Sequence, residues 1–133
     1  MTTERVIDLP IEEVYDAWTT DVLSRWFAAT GSVRMEAVVD APFYFETEQA
    51  GERHPHYGRF LALERPRLIE LTWLNEAGTH GHETVVTVEL MPSEHGTRVK
   101  LTHAGFADAE TRDRHEAAWP DVLAQLESEL TSD

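Results

Sequence analysis

A long run of alternating apolar and polar residues constrains the fold of this chain more than any other feature. Between residues 31 and 103, apolar side chains recur at every second position. One such series consists of Ile69, Leu71 and Trp73. Alternation of this kind is typical of antiparallel strands with one buried and one solvated face. Turn signals such as Gly51-Glu52 and Glu94-His95-Gly96 divide the run into hairpins. The pattern therefore predicts one antiparallel sheet.

Helical patterns flank the alternating run. After a first strand over about residues 4–9, one helical face is predicted to consist of Ile11, Val14, Tyr15 and Trp18, and a second short helix to carry Val22, Leu23, Trp26 and Phe27. The C-terminal stripe consists of Trp119, Val122, Leu123, Leu126 and Leu130. Because helix-forming residues precede Pro120, we expect a long helix that begins near Ala109 and is kinked at the proline, rather than one that begins at Trp119.

These elements predict a single α+β domain over residues 1–133. The expected order is one strand, two short helices, about six more strands and one long C-terminal helix. The first strand of the alternating run is predicted over Val33, Met35, Ala37 and Val39. We expect a strongly curved antiparallel sheet of about seven strands, covered by the last helix, with a small apolar pocket between them.

The charge of the chain restricts its partners. It carries 25 acidic and 11 basic residues, for a formal net charge of −14, and Lys100 is the only lysine. Phosphate groups would be repelled by such a surface, so we expect no binding to nucleic acid or to an anionic membrane.

Cysteine count and hydropathy restrict the chemistry and the cellular compartment that we expect for the protein. The chain contains no cysteine, which excludes disulfides and thiolate chemistry. No apolar segment approaches the roughly 20 residues needed to cross a bilayer, and the first residues lack an apolar secretory core. We expect a cytoplasmic protein that needs no cofactor, with a homodimer as a possible assembly.

Short motifs in a fixed order resemble a known superfamily. They are Val14-Tyr15-Asp16-Ala17-Trp18-Thr19, Trp26-Phe27, Gly58, Glu64-Arg65-Pro66-Arg67-Leu68, Leu71-Thr72-Trp73, Thr87-Val88-Glu89-Leu90, Gly96-Thr97, Leu101-Thr102-His103, Gly105-Phe106, His115 and Trp119. The series is similar to the START-like superfamily, also called helix-grip or SRPBCC, which includes the major birch-pollen allergen. Its nearest likeness is to the bacterial branch resembling the activator of the 90-kDa heat-shock protein ATPase.

The resemblance implies a helix-grip fold and a ligand-binding, chaperone-linked or stress-response role, but no particular reaction. One departure concerns the third strand, where members often carry a glycine pair after an aspartate. Here Asp40 is followed by Ala41-Pro42-Phe43, and Phe43 and Tyr44 could narrow the mouth of a pocket.

The first functional hypothesis is a non-enzymatic protein that binds a small apolar or aromatic molecule. The predicted ligand-binding residues are Trp26, Phe45, Phe60, Leu71, Trp73, Val88, His103, Trp119 and Leu123. A cyclase or dehydratase is an alternative, with His103 and Tyr57 or Tyr44 as proton carriers. A protein-interaction module is a third. No catalytic residue is assigned, because no nucleophile or phosphate-binding motif is present.

Two histidine pairs have the spacing of metal ligands. His80 and His82 alternate along the chain, as do His54 and His56, and imidazole suits zinc. We expect both pairs on exposed hairpin ends and assign no metal site. His103 falls on the buried face of the last strand, where it would either contact a ligand or support the turn at Ala104-Gly105-Phe106.

Overall fold

The computed structural model describes residues 1–131. In chain order its elements are β1 (Thr2–Ile7), α1 (Ile11–Thr19), α2 (Leu23–Trp26), β2 (Pro42–Gln49), β3 (Glu52–Glu64), β4 (Leu68–Trp73), α3 (Glu76–Thr79), β5 (Thr84–Ser93), β6 (Gly96–Ala104) and α4 (Ala109–Thr131). The α+β helix-grip prediction is confirmed.

The strands form one sheet in the order β1-β6-β5-β4-β3-β2, and every neighbouring pair is antiparallel. The sheet curls into a half-barrel. Its concave face carries the apolar members of the alternating series, which are fully or almost fully buried. Helices α1, α2 and α4 cover this face, since each also presents an apolar side.

The predicted strand over residues 33–39 is wrong. Only Arg34 pairs with the sheet, through a single bridge to Tyr44, so the sheet has six strands rather than about seven. The amide of Val38 bonds to the carbonyl of Glu36 at 2.8 Å, and Asp40 adopts a φ of 71°. Local turns therefore use the backbone groups that a strand would need, and Val38 is left half exposed.

The β2–β3 hairpin projects beyond the rest of the sheet. Ala50 and Gly51 connect the strands, and both have positive φ, at 52° and 80°. Two such residues form the turn whose twist matches that of paired strands. The hairpin continues the curl of the sheet and places residues 47–56 opposite the first half of α4.

Helix α4 runs unbroken from Ala109 to Thr131 and includes Pro120, so the expectation of an early start is confirmed. Its C-terminal half is fixed to β1, because Glu127 accepts hydrogen bonds from Arg5 at 2.7 Å and from the amide of Asp8 at 2.8 Å. These bonds hold the pKa of Glu127 below its ordinary value, the Asp8 amide having the larger effect.

None of the helices within residues 1–131 is long and apolar enough to cross a membrane.

Candidate functional site

A cleft of about 430 Å³ opens between α4 and the far end of the β2–β3 hairpin. Its volume lies in the range of known small-molecule sites. The hairpin contributes Thr47, Glu48, Gln49, His54 and His56, and the segment after β4 contributes Trp73, Asn75, Ala77 and Gly78. Phe27, which directly follows α2, lies at the inner end.

One face of α4 forms the opposite wall. The residues that it presents are Arg114, His115, Ala118, Trp119, Val122 and Gln125. Their spacing of three and four residues is that of a single helical face. The cleft therefore extends along about three turns of α4.

Three aromatic rings form the floor. The ring centroids of Trp73 and Trp119 lie 5.4 Å apart, and Phe27 lies 6.0 Å from Trp73 and 6.4 Å from Trp119. Both indoles are only 3% exposed, whereas Phe27 is half-buried. The floor is therefore an apolar patch in which Phe27 is the most accessible ring and the indoles reach the cleft only at their edges.

A buried histidine behind the floor is hydrogen-bonded to the indole of Trp119 and is linked through Thr84 to the main chain of Trp73. His103 accepts a hydrogen bond at Nδ1 from the indole Nε1 of Trp119, at 3.0 Å. Its Nε2 lies 2.7 Å from the hydroxyl of Thr84, which itself donates to the carbonyl of Trp73 at 2.6 Å. Because that hydroxyl has a single proton, Nε2 must be the donor. The imidazole is therefore the neutral Nε2–H tautomer.

This arrangement leaves His103 no spare nitrogen. Burial, with a smaller effect of the nearby His115, lowers its pKa to about 3. The side chain is fully buried and its two ring nitrogens both have protein partners. His103 thus acts on the cleft by positioning Trp73 and Trp119.

A second buried histidine forms the hairpin side of the cleft. His56 stacks on Phe45, with ring centroids 5.0 Å apart and planes within 9°. Its Nδ1 donates to the carbonyl of His54 at 3.0 Å, and its Nε2 accepts from Asn75 at 3.1 Å. Burial lowers the pKa of His56 to about 4. This imidazole is also neutral and has both nitrogens engaged.

The polar side chains on the rim differ in which hydrogen-bond or ion-pair partners they already have within the protein. Glu48 lies 3.3 Å from the guanidinium of Arg53. Arg114 donates to Nε2 of His80 at 3.2 Å. His115 donates from Nδ1 to the carbonyl of Thr111 at 2.8 Å, which leaves the lone pair of its Nε2 available. Burial lowers the pKa of His115, so this ring is neutral near pH 7.

The structure brings together only some of the residues predicted to bind a ligand. Trp73 and Trp119 line the cleft. The others are buried in the core beneath it and are Trp26, Phe45, Phe60, Leu71, Val88, His103 and Leu123. They pack against one another and against the helices, so the space between α4 and the sheet is largely filled. Their assignment to ligand binding stays a prediction.

The alternative proton carriers lie elsewhere. Tyr57 is 40% exposed, and the Tyr44 hydroxyl donates to Glu46 at 2.6 Å. Neither residue lines the cleft.

The histidine pairs behave differently from each other. His80 and His82 are exposed as predicted, whereas His56 is buried, which corrects the expectation for that pair. Within residues 1–131, no three histidine, aspartate or glutamate side chains are grouped to hold a metal ion.

Sequence reasoning missed several wall residues, among them Arg114, His115, Val122, His56 and Asn75. Val122 belonged to the recognised apolar stripe, and Arg114 and His115 precede Trp119 at helical spacing. Extending that stripe by one turn towards the N-terminus would have found the α4 wall. The sequence marked His56 only as one of a spaced histidine pair, and its place in the wall was not predicted because its contacts depend on how the hairpin curls.

Comparison with known proteins then places the chain in a family. The family model described as Activator of Hsp90 ATPase homolog 1-like protein matches residues 8–131. The chain belongs to this family. No protein with a curated description matches it. The resemblance drawn from the sequence motifs is thereby confirmed.

Solved structures of bacterial proteins share the fold of this family member. A Chromobacterium violaceum protein is 24% identical with a TM-score of 0.85, covering 100% of this chain and 97% of its own. A Mesorhizobium loti protein is 23% identical with a TM-score of 0.78, covering 100% and 98%. The AHSA1 protein from Silicibacter pomeroyi is 23% identical with a TM-score of 0.76, covering 98% and 96%. At these identities the likeness shows the fold alone.

Proposed function

We propose that this protein binds a small molecule with an apolar, largely flat body in the cleft between α4 and the β2–β3 hairpin. The observation that carries the proposal is the aromatic floor formed by Phe27, Trp73 and Trp119 beneath a cleft of about 430 Å³. Sites for small organic molecules combine such apolar surface with a few polar groups that fix orientation.

The chemistry of the walls favours binding over catalysis. Proton transfer requires a group that can reach the substrate and titrate near the working pH. Among the histidines that line the cleft, His56 has a pKa of about 4 and both ring nitrogens bonded to protein groups, and burial lowers the pKa of His115 as well. Within residues 1–131, no histidine that lines the cleft is hydrogen-bonded to a carboxylate. We therefore propose that the protein binds its ligand and does not convert it chemically.

The test is a fluorescence titration with N-phenyl-1-naphthylamine, a neutral apolar probe whose emission rises when it leaves water. We expect saturable binding to the native protein and at least about tenfold weaker binding to Ala118→Trp, whose indole would occupy the cleft. Ala117→Trp is the matched control, since Ala117 is exposed on the same helix but does not line the cleft.

Equal affinity of both tryptophan variants, or no saturable binding to the native protein, would contradict the proposal. Mass spectrometry under native and denaturing conditions complements the titration. A compound released on denaturation at about one per chain would identify the class of natural ligand.

A second candidate function is that of a protein-interaction module linked to a chaperone. The filled core favours it, because most of the space where a ligand was predicted is occupied by the protein's own side chains. Its test is the ATP hydrolysis rate of a bacterial 90-kDa heat-shock protein with and without an excess of this chain. An unchanged rate would eliminate this candidate, while leaving the cleft proposal to its own titration.

A further inference from the structure

We infer that the ligand of the cleft is an aromatic carboxylic acid, whose carboxylate pairs with Arg114 while its ring lies on the floor at Trp119. This inference rests on the proposed function and goes beyond it by naming the chemical class that is bound.

Arg114 is a permanent positive charge at the mouth of the cleft. Its guanidinium does not lose its proton in proteins and presents five N–H donors in a planar fork suited to a carboxylate. Although acidic residues outnumber basic ones 25 to 11, no carboxylate within residues 1–131 forms an ion pair with Arg114. The pKa of Asp108 is lowered chiefly by the hydrogen bond that its Oδ1 accepts from the amide of Thr111 at 2.8 Å, and Arg114 has the smallest of the lowering effects.

The contact that Arg114 does make leaves its charge intact. Its Nη2 donates to Nε2 of His80 at 3.2 Å, and an accepting imidazole nitrogen is uncharged. His80 follows α3 on the opposite side of the cleft from α4. The bond therefore restrains the guanidinium across the rim and leaves its other donors to a ligand.

The remaining groups on the walls do not cancel this charge. Glu48 lines the hairpin wall of the cleft and shares Arg53 with Glu46, at 3.3 and 3.0 Å, so its charge is only partly balanced. His115 is neutral near pH 7 and offers only an acceptor at Nε2. Arg114 thus has no carboxylate partner among the wall residues, in a molecule whose net charge is −14.

The acidic surroundings explain why both parts of the ligand are needed. The net charge opposes the approach of any anion, so a small anion without apolar surface gains too little from one exposed arginine. An aromatic ring adds the burial of apolar area, that of the ligand itself and that of the half-buried Phe27. Trp119 lies five residues beyond Arg114 on the helix, which corresponds to about 7–8 Å along its axis.

The experiment compares 2-naphthylacetate with 2-naphthylacetamide, which has the same ring but no charge, by isothermal titration calorimetry. We expect the native protein to bind the acid about threefold to fivefold more tightly than the amide, the gain expected of one exposed ion pair. In Arg114→Gln that preference should disappear, with the affinity for the amide unchanged. Arg112→Gln is the matched control, since Arg112 carries the same charge on the same helix but pairs with Asp113.

The outcomes separate this inference from the proposed function. Equal binding of acid and amide by the native protein, with N-phenyl-1-naphthylamine still bound, would show that the cleft does not recognise a carboxylate. The proposed binding of apolar molecules in the cleft would then be unaffected. Displacement of 2-naphthylacetate by an equal concentration of sodium acetate would overturn the need for the ring. Failure of all three aromatic probes to bind would overturn both.

Discussion

At the scale of single residues, His103 shows how one side chain can be essential to a site that it does not line. A hydrophobic replacement of similar size would leave the indole N–H of Trp119 buried without an acceptor. An unsatisfied buried donor costs about 1–3 kcal/mol. We therefore expect His103→Leu to lower the free energy of unfolding by at least that amount, measured by urea denaturation.

A double-mutant cycle checks the cause. Trp119→Phe removes the donor, so His103→Leu should cost less in that background, with a coupling energy of about 1–2 kcal/mol. Trp26→Phe provides the control pair, because the indole of Trp26 donates to the carbonyl of Ala17 instead. Additive losses for His103 and Trp119 would show that their hydrogen bond contributes nothing to stability.

At the scale of elements, the close approach of β3 to β4 depends on Gly58. A Cβ at this position would collide with the backbone carbonyl and the hydroxyl of Thr72. The same hydroxyl accepts from the amide of Arg59 at 2.9 Å, so a side chain replaces a regular ladder bond here. The two strands can approach this closely only without a side chain at residue 58.

We expect Gly58→Ala to lower the free energy of unfolding by about 1–3 kcal/mol, the usual cost of forcing extra atoms into a packed site. It should also speed hydrogen exchange at the Arg59 amide. Tyr57→Ala, an exposed neighbour, should change stability by less than about 0.5 kcal/mol. An alanine at residue 58 that leaves both measurements at native values would contradict the steric explanation.

The elements also show where sequence reasoning succeeds. Period-two and helical spacing located β4, β5, β6 and α4, because each buries one continuous apolar face. The segment around Val38 has the same alternation and is nevertheless not a strand, since strand formation requires a partner edge that alternation does not encode. The predicted pocket residues show a related limit of the pattern. Alternation reports that Leu71 and Val88 face inward, but not that their neighbours fill the space.

At the scale of the whole molecule, the buried histidines make stability depend on pH. His56 and His103 have pKa values lowered to about 4 and about 3, while in the unfolded chain both take up protons near pH 6.5. The unfolded state therefore binds more protons below pH 6.5, and stability falls as the pH falls towards these values. Each histidine contributes up to about 1.4 kcal/mol per pH unit.

We expect the free energy of unfolding to decrease steadily from pH 6.5 to pH 5.5, a window that lies about one unit or more above the ordinary pKa of carboxylates. Urea denaturation in 1 M NaCl measures it, because a Debye length of about 3 Å then screens the opposing relief of acidic repulsion. Replacing His56 by Gln should reduce the slope of the free energy of unfolding against pH. A stability that is constant or rises over this window would show that the histidines are protonated in the folded protein.

The hydrogen bonds that tie Trp73 and Trp119 to His103 and Thr84 divide the cleft into two parts with different freedom to change. The indole of Trp119 is committed to His103, so its replacement requires a compensating replacement in the core. The bond at Trp73 uses its main-chain carbonyl and does not depend on the side chain. Arg114, Val122 and Gln125 project from one helix face and take no part in that core network. Descendants of such a scaffold can diverge in what they recognise through single wall substitutions, and a library confined to the α4 wall is the economical starting point for redesign.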